Sequence, residues 1–390
     1  MPPVLPSLSR TQSRPSPSPS PRSQPSRSDR HCLAVRLDNA GDVLLAGPAV
    51  RAIAAACGRV TMLAGPPGAD AARLLPGVDE VMTWRAPWVA LDSPPVRPDD
   101  LAALTGELAA RRFTEAVIFT SFHQSPLPTA LLLRLAGLPR IAALSEDYPG
   151  SLLDIRHRGD ADIPEPERAL GLARAAGYEL PAGDDGKLAV RRPLPDVSAL
   201  TGSGPYVVLH PGASAPARRW PVPRWAETAA LLAGRGQHVL LTGGAGEQDL
   251  TATVAVVAAA YRGRAGGPEP TMAGGRGFRG GQVTDLGGRT SLAELAAVVA
   301  GADAVLVANT GVAHLAAAVG TPVVSLFAPV VPAARWAPYG VPVTLLGDQD
   351  APCRDSRAVS CPVPGHPCLS GVSAEAACRA LDDLRTEEAA

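Results

Sequence analysis

The chain has 390 residues, a hydrophobic fraction of 46% and a formal net charge of −1. That length favours two domains with additions, and the near-neutral charge lacks the basic surplus of a nucleic-acid-binding protein. Aromatic residues make up only 4%, so the cores must be built from Ala, Leu and Val.

Residues 1–30 are mostly Ser, Pro and Arg. Such a segment buries too little apolar surface to offset its ordering entropy and is expected to be disordered. Cys32–Leu37 then reads as a short apolar strand and Asp38–Asp42 as a turn. Val43–Cys57 is an Ala-rich helix with an early break at Pro48. Strands at Arg59–Ala64, Asp79–Met82, Glu115–Thr120 and Arg140–Leu144 alternate with helices at Leu101–Arg112 and Leu127–Ala136. The alternation predicts an α/β, doubly wound parallel sheet.

A Pro- and Gly-rich stretch at about 191–205 is the expected linker, placing the first domain at 31–195 and the second at 204–347. The second series repeats the pattern. Its strands are Tyr206–His210, His238–Thr242, Ala304–Ala308 and Pro322–Phe327. Its helices are Trp225–Ala233, Gln248–Ala260, one starting at a Ser291/Glu294 capping box, and Val312–Val319. Residues 263–281 are Gly-rich and expected to form a loop. The segment 348–390 contains Cys and Pro, then a helix, and is expected to cross back to the first domain.

No apolar run is long enough to span a bilayer, and the N-terminus lacks the apolar core of a secretory signal. These features point to the cytoplasm, with room for contact at the inner face of the membrane. Cys353, Cys361, His366 and Cys368 lie close in sequence but include no CxxC pair, so no metal is expected there. The six cysteines do not form the dense pattern of a disulfide scaffold.

In open α/β sheets, ligands bind beyond the carboxyl ends of the strands. Four segments occupy such positions. Asn309-Thr310-Gly311 joins a buried strand to a helix whose free N–H groups suit phosphate oxygens; His314 lies in that helix's first turn. The alternative is an ordinary helix start. His210-Pro211-Gly212 followed by Arg218 and Arg219 could clamp a diphosphate, since Arg pairs bidentately with phosphate, or be a solvated basic loop. Gly243 and Gly244 permit close backbone approach, and Glu247 is placed for ribose hydroxyls or simply as an early-helix charge. Asp42 near the first helix could serve as general base or as a plain N-terminal helix charge.

Taken in order, these segments resemble glycosyltransferase family nine, the heptosyltransferases. The matching stretches are Val35–Leu44, His210–Ser214 with Arg218–Pro221, Leu241–Gly244, Asp285–Leu292, Asn309–Gly311 with His314–Ala318, Gly320–Phe327 and Cys361–Leu369. The resemblance implies a GT-B fold, two Rossmann-like domains facing a cleft. It implies an inverting glycosyltransferase that uses a nucleotide-diphosphate sugar, typically ADP-heptose, and a lipid-linked or lipopolysaccharide-core acceptor, with no cofactor or catalytic metal. Asp42 matches the family's base and Arg218 a leaving-group-stabilising lysine. Glu247 matches a nucleotide-contacting glutamate, and Thr310, Gly311 and His314 the phosphate turn. Asn309 stands where the family often has Asp. Alternatives are a GT-B transferase or epimerase for another nucleotide sugar, and a non-catalytic sugar-nucleotide-binding scaffold. Acceptor contacts are expected in the first domain, around Ser121–Gln124 or Glu146–Tyr148.

Overall fold

The structure is a computed structural model that describes residues 26–89, 92–121, 124–159, 162–264 and 281–388. Most of the expected tail, the Gly-rich run 265–280, and Phe122 and His123 of the expected acceptor segment lie outside the described residues.

The first unit runs β1 (His31–Arg36), α1 (Ala40–Leu45), α2 (Gly47–Ala56), β2 (Arg59–Ala64), α3 (Ala69–Leu74), β3 (Glu80–Thr83), α4 (Pro98–Ala110), β4 (Glu115–Ile118), α5 (Leu127–Leu135), β5 (Ile141–Leu144), β6 (Ile155–His157) and α6 (Glu165–Ala175). Its parallel strands are ordered β3-β2-β1-β4-β5-β6. The second unit runs α7 (Ser198–Thr201), β7 (Tyr206–His210), α8 (Val222–Gly234), β8 (His238–Leu241), α9 (Gln248–Arg264), β9 (Val283–Asp285), α10 (Leu292–Ala300), β10 (Ala304–Ala308), α11 (Gly311–Val319), β11 (Val323–Leu326), α12 (Ala333–Trp336) and β12 (Val343–Leu346). Its order, β12-β11-β10-β7-β8-β9, is again parallel and repeats the first sheet's topology.

The inner strands are continuous apolar runs because helices cover both faces of each sheet. β7 and β10 are buried along their whole length. The expected break near Pro48 is real. The helix ends at Leu45 and resumes at Gly47, with Pro48 in the first turn of α2, where its missing N–H costs nothing. The capping box at Ser291 and Glu294 forms in both directions. One apolar cluster passes from β1, α1 and α2 of the first unit into α10 and α11 of the second, so the units share a packed face.

Three features depart from the sequence-based expectation. Residues 26–30, assigned above to the tail, include a turn at Arg27–Asp29, and Arg30 pairs with Glu115 at 2.8 Å. The last helix, preceded by α13 (Pro367–Ser370), is α14 (Ala374–Glu388), and it does not cross back to the first unit. It packs on α8 and β10–β12, burying Ala377, Cys378, Leu381 and Leu384 in the second core, and ion pairs Arg235–Asp382 and Arg385–Asp303 hold it there. The segment after α6 instead covers α2, where Arg51 donates to both carboxylate oxygens of Asp184. Cys353, Cys368 and Cys378 are buried in the second core as free thiols.

Candidate functional site

Each sheet reverses its strand order between two central strands, β1 and β4 in the first and β7 and β10 in the second. A crevice opens beyond the carboxyl ends at such a point. The predicted site residues are distributed over these two crevices.

In the second unit, β7 leads to Gly212 and Arg218, and β10 leads to Asn309 and the start of α11. Arg218 Nη1 donates to the Asn309 carbonyl at 3.4 Å, tying the two loops together. Arg218 Nε is buried without a partner. Burial pulls its pKa down and only the more distant Asp42 opposes this, so the guanidinium is a poorly compensated cation. The Asn309 side chain is 6% exposed, and neither its oxygen nor its nitrogen has a partner. The Thr310 hydroxyl is also buried and unpaired, and it does not cap α11 although Thr310 holds the N-cap position. His314 Nδ1 is unpaired as well, and burial lowers that imidazole's pKa to about 4. His314 is therefore neutral at pH 7 and offers a donor without a charge.

Buried polar atoms are almost always hydrogen-bonded, so each exception needs a cause. Here five unpaired atoms on four residues gather at one helix start, where free backbone N–H groups and the dipole already favour an anion.

Glu247 sits at the other side of this crevice. Its Oε2 accepts from the Gly244 N–H at 2.8 Å and lies 3.7 Å from His210 Nε2. A Cβ on Gly212 would collide with the Glu247 carboxylate, and one on Gly243 would meet Thr251 at 2.9 Å. These two glycines make room for the Glu247 side chain and the start of α9. Arg219 is not brought to Asn309. It is exposed, and its Nε braces the loop by donating to the Ala213 carbonyl at 2.9 Å.

In the first unit, Asp42 stands in the first turn of α1 with its side chain 19% exposed. Arg36, the last residue of β1, reaches it with Nη2 at 3.0 Å. The same Nη2 donates to Ser121 Oγ at 2.8 Å, just beyond β4, so this bond spans the first sheet's switch point. Asp38 lies 2.8 Å from Arg36 Nε and accepts from the Gln124 amide. Arg36 and Asp38 were missed as site residues, while Ser121 and Gln124 belong to a segment expected to meet an acceptor. The one local signal was a charged residue closing an otherwise apolar buried strand. Ser121 belongs to the segment expected to meet an acceptor, whereas Tyr148 of the other such segment is 85% exposed.

The two crevices face each other. α1 packs against α11, and the Asp42 charge acts on both Arg218 and His314. Among the described residues, no group of three or more His, Cys, Asp and Glu side chains is arranged to hold a metal ion.

The pattern of Glycosyltransferase family 9 (heptosyltransferase) matches residues 122–365, which include the second-unit residues of this crevice but not Asp42. Lipopolysaccharide heptosyltransferase 1 of Pseudomonas aeruginosa is 32% identical over 246 residues, 61% of each chain. Lipooligosaccharide heptosyltransferase 2 of Haemophilus influenzae is 32% identical over 136 residues, 35% of this chain and 34% of that one. The chain thus spans less than two thirds of the length of these curated relatives. The structure of E. coli ADP-heptose lps heptosyltransferase II superposes with a TM-score of 0.67 at 18% identity, covering 92% of this chain and 100% of that one. An E. coli heptosyltransferase with ADP gives 0.63 at 20% identity, covering 91% and 99%. At these identities the structural likenesses establish the fold, two Rossmann-like domains in the GT-B arrangement.

Proposed function

This chain belongs to glycosyltransferase family 9, and on that premise we propose that it transfers a heptose from ADP-heptose, with inversion, to a hydroxyl of a lipopolysaccharide-core acceptor. The observation that carries this reading is the set of unpaired buried atoms on Arg218, Asn309, Thr310 and His314 at the start of α11, facing Asp42.

The donor diphosphate lies on the free N–H groups of Thr310 and Gly311, beside Arg218 and the neutral His314. Gly212 and Gly243 seat Glu247, Gly244 lets the nucleotide approach the backbone, Glu247 accepts from the ribose hydroxyls, and Arg219 braces the loop that carries Arg218. The Asn309 amide meets sugar hydroxyls. Asp42 takes the proton of the acceptor hydroxyl as its oxygen attacks the anomeric carbon. The bond from that carbon to the diphosphate oxygen breaks, and ADP leaves with its charge held by Arg218 and the helix start. The names of the relatives include lipopolysaccharide and lipooligosaccharide, acceptors built on a lipid anchor. No helix among the described residues is long and apolar enough to cross a membrane; contact with such an acceptor at the inner membrane face is part of this proposal.

The test is incubation with ADP-heptose and a heptose-deficient lipopolysaccharide. Mass gain of one heptose with equimolar ADP is expected. Asp42→Ala should lower turnover by about 10²-fold or more, the scale of general-base loss, while ADP still raises its Tm. Unchanged turnover in Asp42→Ala would remove Asp42 as the base. A panel of other nucleotide sugars, run in parallel, tests whether Asn309 redirects the donor preference.

A further inference from the structure

Arg36 has a stronger electrostatic environment than a strand end requires. It is 2% exposed and faces two carboxylates, Asp38 at 2.8 Å and Asp42 at 3.0 Å. We infer that Arg36 and Asp38 are positioning residues for Asp42, a single guanidinium divided between two carboxylates so that Asp42 is aimed at the acceptor. This inference rests on the reading of Asp42 as the base.

The aiming follows from which oxygen is occupied. Among the described residues, every hydrogen bond to the Asp42 side chain goes to Oδ1, from Arg36 Nη2 at 3.0 Å and from Ser121 Oγ at 3.4 Å. Oδ2 is left for an acceptor hydroxyl. Ser121 is itself held by Arg36, so the carboxylate is gripped from β1 and from the loop after β4 together.

The Arg36 charge is divided between the two carboxylates. A carboxylate alone with a buried guanidinium is held strongly ionised and accepts a proton poorly. Asp38 takes part of that cation's field. Its contact with Arg36 Nε is close but poorly aligned, since Nε makes no hydrogen bond; the interaction is chiefly Coulombic. Burial and the neighbouring Asp42 push the Asp38 pKa up while Arg36 opposes them. Glu165 and Arg168 of α6 also face Arg36 and carry opposite charges. From the second unit, Arg218 and His314 face Asp42. Arg218 keeps its charge throughout, and His314 remains neutral above about pH 4, so neither changes charge between pH 5 and 8.

The experiment compares pH profiles of kcat for Asp38→Asn, Arg36→Met and Arg36→Lys. Asp38→Asn keeps an acceptor for the Gln124 amide but gives Arg36 wholly to Asp42. Its acid limb should move to lower pH, by up to about one unit, and its plateau kcat should fall about threefold or more, with KM for ADP-heptose unchanged. Arg36→Met should move the limb the opposite way, to higher pH, and Arg36→Lys should recover most of the difference. A purely structural role lowers activity without moving the limb. An unmoved limb in Asp38→Asn, in an enzyme that Asp42→Ala inactivates, overturns this inference alone. Full turnover in Asp42→Ala overturns the base assignment instead. If Arg36→Met does not fold, Asp38→Asn decides.

Discussion

Gly41 and Gly311 touch across the cleft. A Cβ on Gly41 would lie 3.0 Å from Gly311 Cα and 2.9 Å from His314 Cδ2, and a Cβ on Gly311 would lie 3.1 Å from the Gly41 nitrogen. Neither residue adopts a left-handed conformation, so space is the requirement. These glycines let the first turn of α1, which carries Asp42, lie against the first turn of α11. Gly41→Ala should therefore part the two helix starts. A displacement of order 1 Å at reacting groups costs up to about 10²-fold in rate, so kcat/KM should drop about 10- to 100-fold. ADP affinity, which depends on second-unit groups, should stay within about threefold. Steady-state kinetics and calorimetry with ADP check both; undiminished kcat/KM would mean that this contact does not serve transfer.

The nucleotide half of the cleft was legible in the sequence because its signals are local. Gly212, Gly243 and Gly311 each follow an apolar strand, and Arg218 comes within a few residues of its own turn. The acceptor half was legible only in part: Asp42 and the segment Ser121–Gln124 were named, but not the residue that joins them. Arg36 and Ser121 are 85 positions apart and meet only once β1 and β4 pair in the sheet. β6, β9 and β12 escaped notice for a related reason. They are edge strands of three or four residues with no fully buried position, too short and mixed to show a period. α14 was expected as a helix, but an amphipathic pattern says that one face is buried, not which sheet buries it.

Leu381 tests where α14 belongs. It is fully buried among second-unit residues. Leu381→Ala should cost about 2–5 kcal/mol, the range for truncating a buried leucine. Because the lesion lies in the core beneath the nucleotide crevice and not at the crevice itself, ADP should still raise the variant's Tm. A wild-type urea midpoint in the variant would show that the helix is not part of that core.

Among the described residues, Arg218 is the guanidinium tied to the start of α11, where His314 is neutral, while Arg219 turns to the Ala213 carbonyl. A hydrogen bond to a charged group contributes about 1.5–3 kcal/mol. Arg218→Ala should thus weaken ADP binding about 10- to 100-fold and AMP binding much less, because the β-phosphate loses its cation. Arg218→Lys keeps a point charge but loses the two-pronged donor, so its ADP affinity should fall between the two. Calorimetric titration with ADP and AMP measures this; equal losses for both nucleotides would move Arg218 away from the β-phosphate.

His314 makes stability depend on pH with a definite sign. The folded imidazole accepts a proton only at about pH 4, against an ordinary value of 6.5, because burial disfavours the cation more than Asp42 supports it. Between those values the unfolded chain binds a proton that the folded chain refuses. Lowering the pH from 6.5 towards 4 therefore favours unfolding, and the neutral-His contribution is fully present above 6.5. At about 1.4 kcal/mol per unit, the full effect is about 3 kcal/mol. Replacing His314 by Gln removes the titrating group while keeping a polar side chain. The urea midpoint of the wild type should fall between pH 7 and 4.5, and that of His314→Gln should fall less. Some slope should survive in the variant, since burial lowers the pKa of His210 too. Identical slopes in the two proteins would mean that His314 takes up its proton as readily folded as unfolded. The diphosphate would then meet an imidazolium beside Arg218 at mildly acid pH.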